Sequence, residues 1–453
     1  MNRAYILIDT VSIQDYIFTS NKLSENIGAS YIVENEIYNN DLFKSIKINH
    51  ELIYSGGGNA LIALDTNDLA IKFIQEYSLT LLESFPGLRT AYGIAVGDST
   101  TEAGYNTLMT SLHLDLKKCK NEFFTNTNVF KSGLTDDCPR TNQAANISHE
   151  EQYISYGSES KERASNLSNE SFKKSIKEIC GSIEIKPIDI AYKFDELGQS
   201  KGKSFIGVVT LDGNGVGEQF KACKSISAIK DLSKDIKLKS QNIRSELFQF
   251  IINNMKTMYE RDYADKKFPL RVLISGGDDL CFVCDGTHAI ALAEKAIKLY
   301  ISNGIEACAG ISIVNTKFPF GIAYQSSKSL LYIAKSRAKN ESPGYPSAIA
   351  YQIGKPDYQH TNINDALLLS EFDNLKNIMK EFIKKDTSWS KNKIMKYREL
   401  LDLHRIDINT TEHPDLKYFV ESSMVKGITF PSGNNSDILK AIELLEFYKE
   451  LNA

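Results

Sequence analysis

Apolar and polar positions follow two rhythms along this chain, and the same succession of rhythms occurs twice. Residues 4 to 9 are a short apolar run closed by an acid, Asp9, as expected of a buried strand. Ile13, Tyr16, Ile17, Leu23, Ile27, Tyr31, Ile32 and Ile37 then recur at helical spacing, interrupted around Gly28-Ala29-Ser30. The stretch Leu52 to Leu64 reads as strand, turn, strand, with Ser55-Gly56-Gly57-Gly58-Asn59 at the corner. A helix over about 67 to 84 and a strand over Thr90 to Val96 complete a βαββαβ order. That order predicts an antiparallel sheet with helices on one face, the ferredoxin-like or palm arrangement.

The second succession begins with the strand Phe205 to Leu211, closed by Asp212. A long helical region from about 218 to 259, a hairpin over 270 to 285, a helix over about 287 to 302 and a strand Glu306 to Val314 follow. Ser55-Gly56-Gly57-Gly58-Asn59 aligns with Ser275-Gly276-Gly277-Asp278-Asp279, and Asp9 aligns with Asp212. The chain therefore reads as an internal duplication. Between the copies lies a polar stretch with helices expected around 108 to 120 and 160 to 180. After 355, Ala366 to Lys384, Lys391 to Leu403 and Ser436 to Leu451 are amphipathic at helical period. The predicted fold class is α+β: two ferredoxin-like palm domains with an inserted linker region and a C-terminal helical domain. The expected boundaries are 1–107, 108–200, 201–354 and 355–453.

Composition narrows the picture. The 453 residues exceed one ordinary core. A hydrophobic content of 42% and a charged content of 24% are those of a globular protein. The net charge of −4 supplies no bulk attraction to nucleic acid or anionic membrane. No apolar run approaches the ~18 residues of a membrane span, and the N-terminal run is too short for a signal peptide, so the expected location is cytoplasmic. Seven scattered cysteines argue against a disulfide framework. Cys281 and Cys284, three apart on a strand, point to opposite faces and read as buried core.

The chemistry centres on Gly276-Gly277-Asp278-Asp279. Glycines allow a sharp turn and close backbone approach, and two adjacent carboxylates repel unless a cation neutralises them. Taken alone, the motif fits an acidic hairpin turn as well as a Mg²⁺ site. In a palm, Asp212 at the end of the neighbouring strand would join Asp278 and Asp279, and three carboxylates on one edge can hold two metal ions. Gly213, Asn214, Gly215 and Gly217 would leave room for triphosphate oxygens to meet backbone N–H groups at a helix start. Lys335, on a helix with Lys328, Arg337 and Lys339 and an apolar face, is the candidate triphosphate contact. Gly198-Gln199-Ser200-Lys201-Gly202-Lys203-Ser204 is one residue short of a phosphate loop and precedes a strand, so it is set aside.

Asp212-Gly213-Asn214-Gly215-Val216-Gly217 with Gly276-Gly277-Asp278-Asp279, then Ala309-Gly310-Ile311-Ser312-Ile313 and Phe318-Pro319, resembles the second palm of the large polymerase-like subunit of type III CRISPR effector complexes. Val11-Ser12-Ile13-Gln14-Asp15-Tyr16-Ile17-Phe18 and Gly28-Ala29-Ser30 are similar to that family's first palm. The resemblance implies synthesis of cyclic oligoadenylate messengers from ATP in antiviral defence, with Mg²⁺ or Mn²⁺ at Asp278 and Asp279. It implies an acceptor nucleotide near Ser55, Gly56, Gly57 and Asn59, and CRISPR-complex subunits or RNA as possible partners. Cys138-Pro139-Arg140-Thr141 resembles one knuckle of the family's zinc module, but its partner cysteines are missing, so no zinc is expected. The resemblance begins at the first palm, and the chain is short for such a subunit. A stand-alone or reduced relative lacking the N-terminal nuclease domain is therefore expected.

Two other readings compete with nucleotidyl transfer. One is a palm scaffold that binds RNA through the basic stretches 117–120, 173–177 and 384–398. The other is a diguanylate-cyclase-like enzyme, which two palms in one chain speak against.

Overall fold

The computed structural model describes residues 2–37, 41–122, 136–149, 152–180, 189–197, 204–259, 267–341, 344–354, 365–384, 389–406, 414–425 and 428–451. The set-aside Gly198–Lys203 stretch, residues 130–135 ahead of the Cys138 turn and residues 385–388 of the basic stretch 384–398 lie outside them.

The first palm runs β1 (Arg3–Val11), α1 (Ile13–Phe18), α2 (Leu23–Tyr31), a π-helical turn (Ile32–Ile37), α3 (Asp41–Ser45), β2 (Glu51–Gly56), β3 (Asn59–Leu64), α4 (Asn67–Ser84), β4 (Arg89–Gly97) and α5 (Glu102–Glu122). The insert holds β5 (Ile147–His149), β6 (Gln152–Ile154), α6 (Tyr156–Cys180) and β7 (Asp189–Ile190). The second palm follows as β8 (Phe205–Gly213), α7 (Val216–Ala222), α8 (Ile226–Tyr259), β9 (Lys267–Phe268), β10 (Leu270–Gly276), β11 (Asp279–Asp285), α9 (Ala289–Ser302), β12 (Ala307–Asn315), α10 (Phe320–Asn340) and β13 (Ala348–Ile353). The chain continues through β14 (Leu367–Leu368), α11 (Leu369–Ile383), α12 (Lys391–Ile406), α13 (Pro414–Val425) and α14 (Asn435–Leu444).

The first sheet has strand order β2-β3-β1-β4, and the second repeats it as β10-β11-β8-β12 and extends it with β13, parallel to β12, and β14. The duplication extends to single hydrogen-bond positions. Asp9 stands opposite Asn59, as Asp212 stands opposite Asp279. Both hairpins slip register at one bulge, Leu52/Tyr54 and Val272/Ile274, and close on Gly56 opposite Asn59 and Gly276 opposite Asp279. The fold is α+β with two ferredoxin-like palms and a helical C-terminal region, as the sequence predicts.

The expectation of helices on one face alone is corrected. Alternate residues of β1 enter two cores: Ala4, Ile6 and Ile8 meet α4, while Tyr5 and Leu7 meet Leu108, Leu112 and Leu116 of α5. Strands buried on both sides read as continuous apolar runs, so periodicity alone does not reveal the second layer. Gly93 admits α5 to the sheet: a Cβ there would run into Leu112 O and lie 2.6 Å from Leu116 N. Gly310 plays the same part under α10, against Ser327 O and Leu331 N.

The palms pack as one body. Leu23 and Ile27 of α2 are buried with Ile206, Val208, Phe320 and Tyr324 of the second palm, each contributing roughly 1.5–3 kcal/mol by burial. The Phe18 ring lies 3.8 Å from that of Tyr324. Helix α6 braces both halves. Its Lys161 donates to Tyr16 O, and its Asn169 accepts from the buried Arg271 of β10 at 2.7 Å.

The Cys138 turn is tied in through Arg140, which bridges Glu25 of α2 at 2.8 Å and Glu162 of α6 at 2.5 Å. Cys138 is buried with Sγ 3.7 Å from Ser158 Oγ. Cys281 and Cys284 are buried in different cores, as their spacing implies. The expected boundary at 354 falls between two paired strands, because β14 pairs with β13. Phe372, Leu375 and Ile442 then join the core of β11 and α9. Helix α13 lies where the sequence reading singled out none.

Candidate active site at the palm–palm cleft

The two hairpin tips meet. A Cβ on Gly276 would lie 3.7 Å from Gly57 N, and one on Gly277 would lie 3.8 Å from Gly57 Cα. Gly57 and Gly277 both have left-handed φ, +59° and +64°, a conformation only glycine adopts without penalty. A cleft of about 1220 Å³ opens around this contact, lined by Asp9, Ser55, Gly56, Gly57, Gly58 and Asn59 from the first palm and by Asp212, Gly217 and Ser275 to Asp279 from the second. A smaller pocket of about 220 Å³ adjoins it, floored by Gly213 to Gly217 and walled by Lys221, Lys335, Lys339 and Tyr345.

Asp212, Asp278 and Asp279 come together as the hairpin and β8 dictate. Asp279 faces Asp212 across the ladder, and Asp278 is pinned by its backbone, whose O accepts from Gly213 N–H at 3.2 Å and Tyr300 Oη at 2.9 Å. Both hairpin carboxyls are held above the ordinary carboxylate range. Enclosure by the cleft walls is the larger cause, and the charge of Asp212 the next. Asp279 nevertheless remains open to cleft water. Lys335 makes an ion pair with Asp212 Oδ2, placing an ammonium against one of the three acids. Among the described residues no three His, Cys, Asp or Glu side chains form a ready metal cage. The donor set is nonetheless the hard oxygen type that Mg²⁺ or Mn²⁺ takes.

The glycine shelf differs from expectation at two positions. Gly213 N–H is used by Asp278 O, and Asn214 N–H donates to Glu306 O at 2.6 Å, so neither faces a ligand. The Asn214 side chain donates instead to Tyr345 O at 2.9 Å. Gly213 is a packing glycine, since a Cβ would lie 3.0 Å from Asp278 Cβ and Ile305 Cγ2. Gly215, with φ +76°, caps α7, and nothing lies within 4 Å of a Cβ built on Gly215 or Gly217. Ser12 is the first-palm counterpart of Gly215, three residues beyond Asp9, and holds φ +53° without being glycine. In the first tip, Gly58 has φ +85°, and the Ile13 methyl occupies the space a side chain there would need.

Sequence reasoning missed Lys221, Lys339 and Tyr345 in the small pocket, and the ion pair between Lys120 of α5 and Asp9. The pocket lysines lie one turn from residues already singled out, which is the signal that could have found them.

Residues 205–342 match the family described as Cas10/Cmr2, second palm domain. The second palm is thus similar to that family's second palm. No curated protein matches the chain. Among solved structures, apo Csm1–Csm4 cassette is similar at TM-score 0.60 and 14% identity, covering 98% of this chain and 70% of that one. Csm1 in T. onnurineus gives TM-score 0.59 at 16% identity, with 99% and 70% covered. The Csm1–Csm4 cassette in complex with cA4 gives 0.57 at 15%, with 98% and 70% covered. The Cas10-type likeness therefore extends over both palms and the C-terminal helices as a shared fold.

Proposed function

We propose that the cleft joins ATP molecules into cyclic oligoadenylate, as a metal-dependent nucleotidyltransferase acting in antiviral defence. The observation that carries this reading is the meeting of the acid-bearing hairpin with its acid-free twin over one cavity. One palm would activate a nucleotide, and the other would present the next. Asp212, Asp278 and Asp279 are the residues to hold divalent metal, which when bound neutralises developing charge and lowers the pKa of the attacking hydroxyl. Lys335 would exchange Asp212 for the triphosphate lying along Gly215 to Gly217. A ribose hydroxyl of the second nucleotide, held near Ser55 to Asn59, then attacks the α-phosphorus. An O–P bond forms as the bond to pyrophosphate breaks, and the hydroxyl proton passes to cleft water.

Related cassettes were solved with AMPPNP, pppApA and cA4, which supports ATP as the substrate class. Their pairing of Csm1 with Csm4 supports a partner subunit of an RNA-guided complex. No described helix is long and apolar enough to cross a membrane, which agrees with a cytoplasmic complex. The test is incubation with each labelled NTP and Mg²⁺, with products read by mass spectrometry. ATP should yield cyclic product, and Asp278→Ala with Asp279→Ala should abolish it. Product from that double variant would overturn the site. Inert NTPs together with tight RNA binding would overturn the activity.

A further inference from the structure

The Asp–Lys pair of the second palm has a twin in the first. Helices α5 and α10 press against Gly93 and Gly310 through matching backbone atoms, Leu112 O and Leu116 N in one case and Ser327 O and Leu331 N in the other. That register equates Leu116 with Leu331. Four residues further along each helix stands a lysine, Lys120 or Lys335, and each pairs with the acid that closes its palm's first strand.

The surroundings of the two pairs differ in charge. Opposite Asp212 stands Asp279, with Asp278 beside it, so three acids share the paired Lys335 and the weaker field of Lys328. Opposite Asp9 stands the neutral Asn59, and glycine fills the Asp278 position. Lys117 and His113, one and two turns before Lys120, line the same cleft. A triple acid needs a further cation. One acid already matched by one lysine does not, and a second lysine leaves that wall attractive to anions.

We propose that Lys120 stands in for metal in the first palm: it binds the phosphates of the second nucleoside triphosphate directly, releasing Asp9 to do so. Resting on the nucleotidyl-transfer reading, this makes Lys120 a positioning residue and gives the two nucleotides different metal requirements. The first-palm site binds without metal, and the second-palm site needs it. The cleft's 1220 Å³ exceeds the about 300–1,000 Å³ of a single small-ligand pocket, and Lys120 lines it together with Asp278 and Asp279. A lysine ammonium, a compact point charge with rotatable donors, suits phosphate oxygens whose orientation varies between turnovers.

The test is equilibrium dialysis of ATP against the full chain in EDTA, where no turnover intervenes. One ATP per chain is expected. Lys120→Ala should weaken that binding at least about tenfold, and Asp9→Asn should tighten it by freeing Lys120. Asp278→Asn with Asp279→Asn should not weaken it. With Mg²⁺, Lys120→Ala should raise KM for ATP far more than it lowers kcat, and Lys120→Arg should restore part of the loss. The opposite signs for Lys120 and Asp9 separate ligand contact from misfolding. No ATP binding in EDTA, binding indifferent to Lys120→Ala, or binding lost with the hairpin acids would each overturn the proposal. If ATP binds in EDTA as described but no product forms with Mg²⁺, the transfer reading fails and the phosphate site stands.

Discussion

Gly57 and Gly277 face each other across the two hairpin tips, with 3.8 Å from Gly57 Cα to a Cβ built on Gly277. The separation leaves space for a methyl group, but the backbone does not tolerate one. Gly277 sits at φ +64°, where an L side chain costs about 1–2 kcal/mol. Gly276 has no such φ and equal space. Gly277→Ala is therefore expected to lower unfolding free energy by about 1 kcal/mol or more, and Gly276→Ala to change it little. Urea titration of both variants tests this, and equal effects would contradict the backbone argument.

Overlap is a stronger penalty than strain. At Gly93 and Gly310 a Cβ would collide with helix backbone rather than with a movable side chain. Alanine at either position is expected to cost about 3 kcal/mol or more. In thermal unfolding, both variants should fall well below Gly277→Ala.

The hairpin acids give the protein a pH signature. Asp278 and Asp279 are raised by enclosure first and by Asp212 next. Between the ordinary carboxylate value near 4 and their raised values, the folded chain keeps protons that the unfolded chain has lost. Stability from this source therefore falls as pH rises through that window. In EDTA, the Tm of the wild-type chain should decline from about pH 5 to about pH 8, and Asp279→Asn should flatten the decline. A decline of the same size in the variant would place its origin elsewhere.

Lys335 touches both the acid set and the small pocket. Its replacement by alanine should cost on the order of 10²-fold or more in kcat, the scale of losing one preorganised charge-stabilising donor. Far-UV circular dichroism should remain that of the wild type.

Arg140 joins two carboxylates, Glu25 being fully buried. Arg140→Met should destabilise by about 3–5 kcal/mol by leaving a buried charge unmatched. Adding Glu25→Gln and Glu162→Gln should recover much of that loss. Failure to recover would mean the bridge acts through shape rather than charge.

Much of this arrangement was legible in the sequence because hairpins announce themselves locally. Gly-Gly-Asp-Asp between apolar runs, and its twin Gly-Gly-Gly-Asn, specify turn, register and strand partner within a few residues, so Asp212 could be placed beside Asp279. The second helical layer was not legible, because residues such as Tyr5 and Leu7 are as apolar as Ile6 and Ile8 whichever face they take. Nor were the lost shelf donors: whether Gly213 N–H faces a ligand depends on where Asp278 O comes to rest. The Asp9–Lys120 pair depends on two distant elements meeting, and only the helix packing at Gly93 brings them together.

Ile13 beside Gly58 carries a consequence for the history of the duplication. Restoring the first tip to the form of the second takes more than exchanging glycine for aspartate. The new side chain would enter a left-handed backbone, and the isoleucine would have to vacate its place. Each obstacle alone makes the single exchange disadvantageous, so the halves cannot drift back to equivalence one substitution at a time. The asymmetry between them acts as a ratchet that keeps one tip acid-bearing and the other acid-free.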